Sequence, residues 1–197
     1  MSQSLIWGAN VLMLLTVWAG LKLRGESWSH LGLTFKLPTL RAALRATALA
    51  GAVLVAALAA FVLGSVLMSG VTGTASSPDT SGYDYLRGDL PTLVLTLVGV
   101  YTVSSFGEEV IYRGFLITRL AELLPANRVG PIVASILSAV VFGAAHYAWG
   151  PVGVVQTTMM GLVFAGAYLL LRRNLWILIL AHMLMDTLLI VPLYSAT

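Results

Sequence analysis

The 197-residue sequence contains no cysteine and few charged residues. Without cysteine the chain can form neither a disulfide nor a thiolate zinc site, and it cannot use a cysteine nucleophile. Charged residues make up 10% of the chain, against about 25% in a typical soluble domain. Hydrophobic residues make up 58%, and the mean hydropathy is +0.92. Because so few charged residues cannot cover the surface of a soluble protein, we expect an integral membrane protein.

Several apolar runs reach the length of roughly 20 residues that a helix needs to cross a bilayer. The sequence predicts six spans, at about residues 5–21, 42–67, 93–118, 130–149, 152–171 and 175–194. The first run has neither a basic leading segment nor a small-residue cleavage site, so we interpret it as a membrane helix rather than a signal peptide. We therefore predict an all-α, polytopic transmembrane bundle of about six to eight helices, forming a single membrane domain over residues 1–197.

Basic residues fall in alternate connections between the predicted spans. Nine of the eleven Lys and Arg residues lie between spans one and two, after span three or after span five. The positive-inside rule places these connections in the cytosol. Both termini would then lie outside, with the loop that carries Asp79, Asp84 and Asp89, whose Gly, Ser and Thr content predicts flexibility. The net charge of +3 is explained by this topology, so we expect no nucleic-acid partner. The expected surroundings are a lipid bilayer, namely a bacterial plasma membrane.

The third predicted span contains three ionisable residues, Glu108, Glu109 and Arg113. Each would cost about 2.5–3.5 kcal/mol at the centre of a membrane helix if it were unpaired. Glu109 and Arg113 are four residues apart and can pair on one helical face, which leaves Glu108 rotated by about 100° and without an opposite charge. Such a carboxylate can serve as a general base. Alternatively, the three residues lie in the interface at the end of a shorter span and have no function.

Two later spans place polar or aromatic residues one helical turn apart. Span four contains Phe142 and His146, with small residues between them that let a neighbouring helix approach closely. Span six contains His182 and Asp186, and the Asp186 carboxylate can accept a hydrogen bond from the imidazole and fix its tautomer. Taken singly, each set could be structural: a histidine bonded to a backbone carbonyl, or a polar pair that joins two helices.

Depth in the membrane supports one common cluster. If each span is centred in the bilayer, a rise of about 1.5 Å per residue places His146 about 7–8 Å from the midplane. The same rise places His182 and Asp186 within about 3 Å of it, and Glu108 lies at it. Ionisable groups inside membrane spans usually face the interior of the bundle. The sequence therefore predicts that these four residues line one chamber.

The EExxxR, FxxxH and HxxxD motifs, in this order and in apolar helices, resemble those of the CAAX-protease and bacteriocin-processing (CPBP, or Abi) family. The best-known members of that family are the type II CAAX prenyl endopeptidases. The resemblance covers about residues 90–189. It implies a helical membrane fold and an intramembrane endopeptidase, which hydrolyses a peptide bond of a peptide or membrane-protein substrate.

The resemblance also implies roles for the individual residues. Glu108 and His146 would activate a water, and His182 and Asp186 would stabilise the oxyanion or orient the substrate. The supporting residues would be Glu109, Arg113 and Phe142. The prenyl-protein enzymes of the family carry Asn at the position of Asp186, and an ionised Asp cannot donate a hydrogen bond. Asp186 is therefore expected either to stay protonated or to orient His182.

Metal use and function class both leave alternatives. No HExxH motif is present, but Glu108, His146 and His182 could supply the three ligands of a catalytic zinc. We expect a water activated by Glu and His with no obligatory cofactor, and zinc is the alternative. A non-catalytic membrane partner, such as a bacteriocin-immunity or scaffold protein, is a second function class. A proton-coupled transporter is a third, although the sequence lacks the internal repeats typical of that class.

Overall fold

The computed structural model describes residues 3–34, 39–73 and 80–195, which form helices and contain no strand. The six long helices are α1 (Gln3–Leu23), α2 (Leu40–Thr72), α3 (Leu90–Leu123), α4 (Val129–Ala145), α5 (Gly150–Leu170) and α6 (Leu175–Ser195). Three short 3-10 helices occupy Trp28–Leu31, Ser81–Leu86 and Tyr147–Trp149. Each predicted span overlaps one long helix, so the predicted all-α polytopic bundle is confirmed.

The outer surface of the bundle is apolar. Five of the long helices are long and apolar enough to cross a membrane, while α4, with 17 residues, is shorter. Large aliphatic side chains point outwards, and Leu12 and Val55 remain 66% and 67% exposed. A contiguous apolar surface of this extent is stable in lipid but not in water. The chain is therefore an integral membrane protein.

Small residues bring α5 into close contact with both α2 and α4. A Cβ atom on Gly143 of α4 would lie 1.8 Å from the Thr158 hydroxyl oxygen of α5. A Cβ atom on Gly64 of α2 would lie 2.8 Å from the Gln156 Cα atom. Close approach through small residues is the usual way in which membrane helices pack, and it places α5 at the centre of the bundle.

Helix α3 is not regular over its whole length. Two π-helical segments, Val100–Ser105 and Glu109–Leu116, flank the α-helical turn Phe106–Glu108. The Ser138 hydroxyl of α4 donates a 2.7 Å hydrogen bond to the Tyr112 carbonyl inside the second segment. π-Helical segments are rare and frequently occur at functional sites, because the extra residue changes the direction of neighbouring side chains.

Helix α4 ends earlier than the sequence predicted. It stops at Ala145 rather than near residue 149, and the chain continues through a short 3-10 helix to Gly150, whose φ is 73°. The cause lies in His146, because its Nδ1 donates a 2.8 Å hydrogen bond to the Phe142 carbonyl, close to the end of the helix. His146 therefore caps a helix terminus instead of lying within a span.

The predicted flexible loop after span two is also partly helical. Helix α2 continues to Thr72, where Gly73 caps it with a φ of 70°, and Ser81–Leu86 form a 3-10 helix. Asp79 lies outside the described residues. At its other end, α2 begins at Leu40, because the Thr39 hydroxyl accepts a hydrogen bond from the Ala42 amide and caps the helix. Basic residues that we expected in the connection therefore belong to the first turns of the helix.

Ion pairs join the ends of α1 and α3. Arg119 of α3 bonds to Glu26 and, at 2.6 Å, to Glu122. Arg24 bonds to Glu26 at 2.9 Å and to Glu122 at 3.1 Å. The hydrogen bonds from Arg119 and Arg24 lower the pKa of the Glu26 carboxyl to about 2, so that this carboxyl keeps its negative charge at any physiological pH.

Candidate active site

A buried ion pair and a histidine form the base of the site. Glu109 and Arg113, both on α3, are 0% and 1% exposed, and a 2.9 Å hydrogen bond joins Arg113 Nη1 to Glu109 Oε1. The Arg113 guanidinium also lies 4.2 Å from the centre of the Phe142 ring. The pairing predicted from the spacing is therefore present, and Phe142 contacts the arginine as well as sharing a turn with His146.

His182 of α6 is held by Glu109. Its Nδ1 lies 2.8 Å from Glu109 Oε1, whereas its Nε2 lies 3.8 Å from Asp186 Oδ1, beyond hydrogen-bond distance. The sequence predicted that Asp186 would fix the imidazole, but Glu109 makes that hydrogen bond instead. The reason is a contact between helices: α3 places the fully buried Glu109 carboxylate against the His182 ring, while Asp186 bonds to another partner.

That partner is Ser105, at the end of the first π-helical segment. The Ser105 hydroxyl donates a 2.7 Å hydrogen bond to Asp186 Oδ2. Ser105 is fully buried, and the Asp186 side chain is 16% exposed. Asp186 therefore faces the cavity with one oxygen bonded to serine, and its other oxygen lies near His182 Nε2.

Glu108 is oriented from a helix outside the predicted motifs. It is 6% exposed, and its Oε1 accepts a 3.2 Å hydrogen bond from the Asn10 side-chain amide of α1. Its Oε2 lies 3.9 Å from His182 Nε2. As predicted, Glu108 does not pair with Arg113. Sequence reasoning missed Asn10 and Ser105, although Asn10 is a buried amide in an otherwise apolar stretch of α1 and could have been noticed for that reason.

His146 lies across the cavity from α6. A carbonyl oxygen only accepts, so the hydrogen bond to Phe142 requires that His146 Nδ1 carries a proton. The neutral ring then has Nε2 as its acceptor. The ring is fixed between Phe142 and Trp149, with centroid distances of 4.7 and 5.1 Å.

All four predicted residues line one cavity of about 150 Å³, together with Asn10. The cavity also reaches Ile6, Tyr83 and Ile190, so it lies towards the end of the bundle that carries the chain termini. A second cavity of about 150 Å³ shares His146, His182 and Asp186. Its remaining lining is mostly apolar and comes from α2, α5 and α6: Leu58, Phe61, Thr157, Met160, Met185, Leu188 and Leu189, together with Trp149. The ionisable cluster therefore lies where two cavities meet, and the second cavity, which we call the apolar chamber, has the more apolar lining.

A catalytic zinc ion would need three converging ligands from the side chains at this cavity. Within the described residues no group of three His, Asp or Glu side chains converges as a metal site. The hydrogen bonds of His182 Nδ1 to Glu109 and of His146 Nδ1 to a carbonyl leave both Nε2 atoms available, as in histidine metal ligands. His182 Nε2 lies 3.9 Å from Glu108 Oε2, and no third ligand atom converges with this pair in the described residues. The side chains as placed do not form the three-ligand set that a catalytic zinc requires.

Comparison with known proteins gave one family match. A family model described as "Type II CAAX prenyl endopeptidase Rce1-like" matches residues 90–188, half of the chain. These residues run from α3 to α6 and include Glu108, His146, His182 and Asp186. Asn10 and the α2 wall of the apolar chamber lie outside the match. No curated protein and no solved structure matched the chain.

Proposed function

The chain belongs to the family of Rce1-like type II CAAX prenyl endopeptidases, and we propose that it cleaves its substrate with a water activated by Glu108 and His146. Family membership makes it a CAAX-type intramembrane protease. The observation that carries the finer proposal is the meeting of four ionisable side chains at one cavity inside an apolar bundle. Ionisable groups at such a depth usually mark a functional site.

Water activation is assigned to Glu108 and His146, each of which keeps one acceptor atom that is not hydrogen-bonded to the protein. The Asn10 amide occupies Glu108 Oε1, which leaves Oε2 to take a proton from water. His146 lines the same cavity, and its Nε2 can accept a hydrogen bond from that water and orient it. The resulting hydroxide attacks the carbonyl carbon of the scissile bond. The proton held by the carboxyl then passes to the leaving nitrogen as the C–N bond breaks, so Glu108 returns to its ionised form.

Oxyanion stabilisation is assigned to His182. Three carboxylates lie within 4 Å of its ring, from Glu108, Glu109 and Asp186, and they stabilise a positive charge on it. With Nδ1 bonded to Glu109, the Nε2–H of an imidazolium points into the cavity. An imidazolium donor meets the requirement for a fixed donor where negative charge develops. With this donor in place, no amide is needed at position 186 to donate a hydrogen bond to the oxyanion. The Asp186 carboxylate instead stabilises the positive charge on the His182 ring.

We further propose that the apolar chamber receives the apolar part of the substrate, and that cleavage requires no metal. The first proposal rests on the lining by Phe61, Met160 and Met185 next to the polar cluster. The second rests on the absence of a converging three-ligand set in the described residues. Dialysis against a strong chelator, followed by metal analysis and an activity assay, tests whether cleavage requires a metal. Full activity in metal-free protein supports the metal-independent mechanism, and a loss of activity that zinc restores contradicts it.

The principal test compares Glu108→Gln with Glu122→Gln in purified protein. The probe is a quenched-fluorescent peptide that ends in a CAAX sequence, with and without an isoprenoid on its cysteine. Glu108→Gln removes the base with almost no change in size, so we expect cleavage to be lost. Glu122 is 41% exposed at the far end of α3, and its variant should cleave normally. Unchanged cleavage by Glu108→Gln would rule out the proposed mechanism. If no cleavage of any peptide is found with a folded wild-type protein, a non-catalytic role in binding a membrane partner gains support.

A further inference from the structure

A separate cavity lies at the end of the bundle opposite the candidate active site. It has a volume of about 690 Å³ and is larger than either chamber of that site. Basic residues from three parts of the chain line it: His30 in the first 3-10 helix, Arg45 of α2, and Arg172 and Arg173 between α5 and α6. Among the described residues that line this basic cavity, none is acidic. The cavity is therefore suited to an anion.

The arginines of the basic cavity differ from Arg24 and Arg119, which lie at the same end of the bundle. Arg24 and Arg119 are neutralised by Glu26 and Glu122. In contrast, no carboxylate in the described part of the chain forms an ion pair with an arginine of the basic cavity. A cluster of like charges without counter-charge is unfavourable by itself, so an external anion would stabilise it.

The turn that carries two of these arginines is rigidly held. Arg172 and Arg173 have φ values of 55° and 60°, in the left-handed region that residues other than glycine rarely adopt. The Arg173 amide donates to the Tyr168 carbonyl at 2.8 Å, and the Leu175 amide donates to the Gly32 carbonyl at 3.3 Å. Only glycine fits at position 32, because a Cβ atom there would lie 1.6 Å from the Arg173 carbonyl oxygen. The backbone of both arginines is thus held in one conformation, which lowers the entropic cost of binding.

The other wall of the basic cavity is apolar. Ala46 and Leu49 of α2 face Leu170 and Ile177 across it. Close by, the Trp176 indole donates a 2.8 Å hydrogen bond to the Thr34 carbonyl, and tryptophan is enriched where a membrane meets water. The cavity therefore combines a cationic rim with an apolar wall, which suits a ligand that has both a charged and an apolar part.

We propose that the basic cavity binds the phosphate of an anionic phospholipid headgroup, with the acyl chains lying against α2 and α6. Basic pockets between transmembrane helices on the cytoplasmic side are typical sites for such headgroups, and the positive-inside rule assigns this end of the bundle to that side. A soluble phosphate would use the cationic rim but would leave the apolar wall uncovered. The ligand is therefore assigned to the lipid class.

Native mass spectrometry of the full chain tests this assignment. The purified protein is offered equal amounts of phosphatidylglycerol and phosphatidylcholine, and the ratio of the two bound lipids is measured. The variant R172N/R173N removes two charges, while Asn tolerates the left-handed backbone. A basic residue attracts anionic lipid by about fivefold, and in the proposed site this preference belongs to the arginines that contact the bound headgroup, so we expect the ratio to fall about 25-fold. The control K22Q/R128Q removes two exposed charges from the same end of the bundle but outside the basic cavity.

The control variant should keep the wild-type ratio. An equal fall in both variants would show a general effect of surface charge and would overturn the assignment. Inorganic phosphate in large excess distinguishes the second source of the ligand: retention of phosphatidylglycerol supports a lipid site, and its complete displacement overturns it. If R172N/R173N does not fold, R45Q on the exposed side of α2 replaces it, with an expected fall of about fivefold.

Discussion

Asn10→Ala tests the part of the site that the family motifs do not contain. The Asn10 amide donates a 3.2 Å hydrogen bond to Glu108 Oε1 from a position that is 4% exposed. A hydrogen bond to a charged group contributes about 1.5–3 kcal/mol, and the length of this one favours the lower end. Since 1.36 kcal/mol corresponds to a tenfold change in rate, kcat should fall about tenfold. The KM should change little, because Asn10 acts through Glu108.

The assay is steady-state cleavage of the quenched-fluorescent peptide, with kcat and KM measured separately. Asn10→Asp has nearly the same size but cannot donate when ionised, so it should lose at least as much activity. Leu12→Ala truncates a side chain on the lipid-facing side of the same helix, where Leu12 is 66% exposed, and should retain full activity. Wild-type kcat in Asn10→Ala would refute the view that this amide positions the base. Full activity in Asn10→Asp would refute it as well.

Three further predictions concern stability. Glu109→Gln should destabilise the fold by about 3 kcal/mol or more, because it leaves the buried Arg113 without its counter-charge; a thermal midpoint equal to that of the wild type would contradict this. Gly143→Ala should cost about 1–3 kcal/mol by overpacking α4 against α5, whereas Gly51→Ala, where the added Cβ meets nothing within 4 Å, should be neutral or slightly stabilising. The Glu26 carboxyl has its pKa lowered from 4.5 to about 2, so its stabilising contribution is complete above pH 4.5 and is lost as the pH falls towards 2. The difference in thermal midpoint between wild type and Glu26→Gln should shrink over that range, and a constant difference would refute the assigned pairing.

Hydropathy was sufficient to locate the helices but not their irregularities. Each of the six apolar runs became a helix, because a chain in lipid must satisfy its backbone hydrogen bonds within the segment. The π-helical segments of α3 were not predicted, since such irregularities depend on contacts between helices. One example is the hydrogen bond that the Tyr112 carbonyl accepts from a serine of α4. The early end of α4 was not predicted either, because it follows from the hydrogen bond of the His146 side chain to Phe142.

Spacing in the sequence identified the ionisable residues of the site more successfully than their partners. The i,i+4 pairing of Glu109 and Arg113 is local, and it is present. The same rule suggested that Asp186 fixes His182, but Glu109 occupies that position from another helix. Asn10 was missed for a related reason: the sequence does not show which side of α1 faces α3, and an isolated amide carries no motif.

The most direct test of the central claim is a comparison of membrane proteomes from cells that produce the wild-type chain or Glu108→Gln. Newly formed N-termini and C-termini of membrane proteins are measured by mass spectrometry in both. If Glu108 activates the hydrolytic water, at least one membrane protein should be cleaved in the wild-type cells and remain intact in the Glu108→Gln cells, at equal amounts of the two chains. The same cleavage products at the same abundance in both would contradict the account.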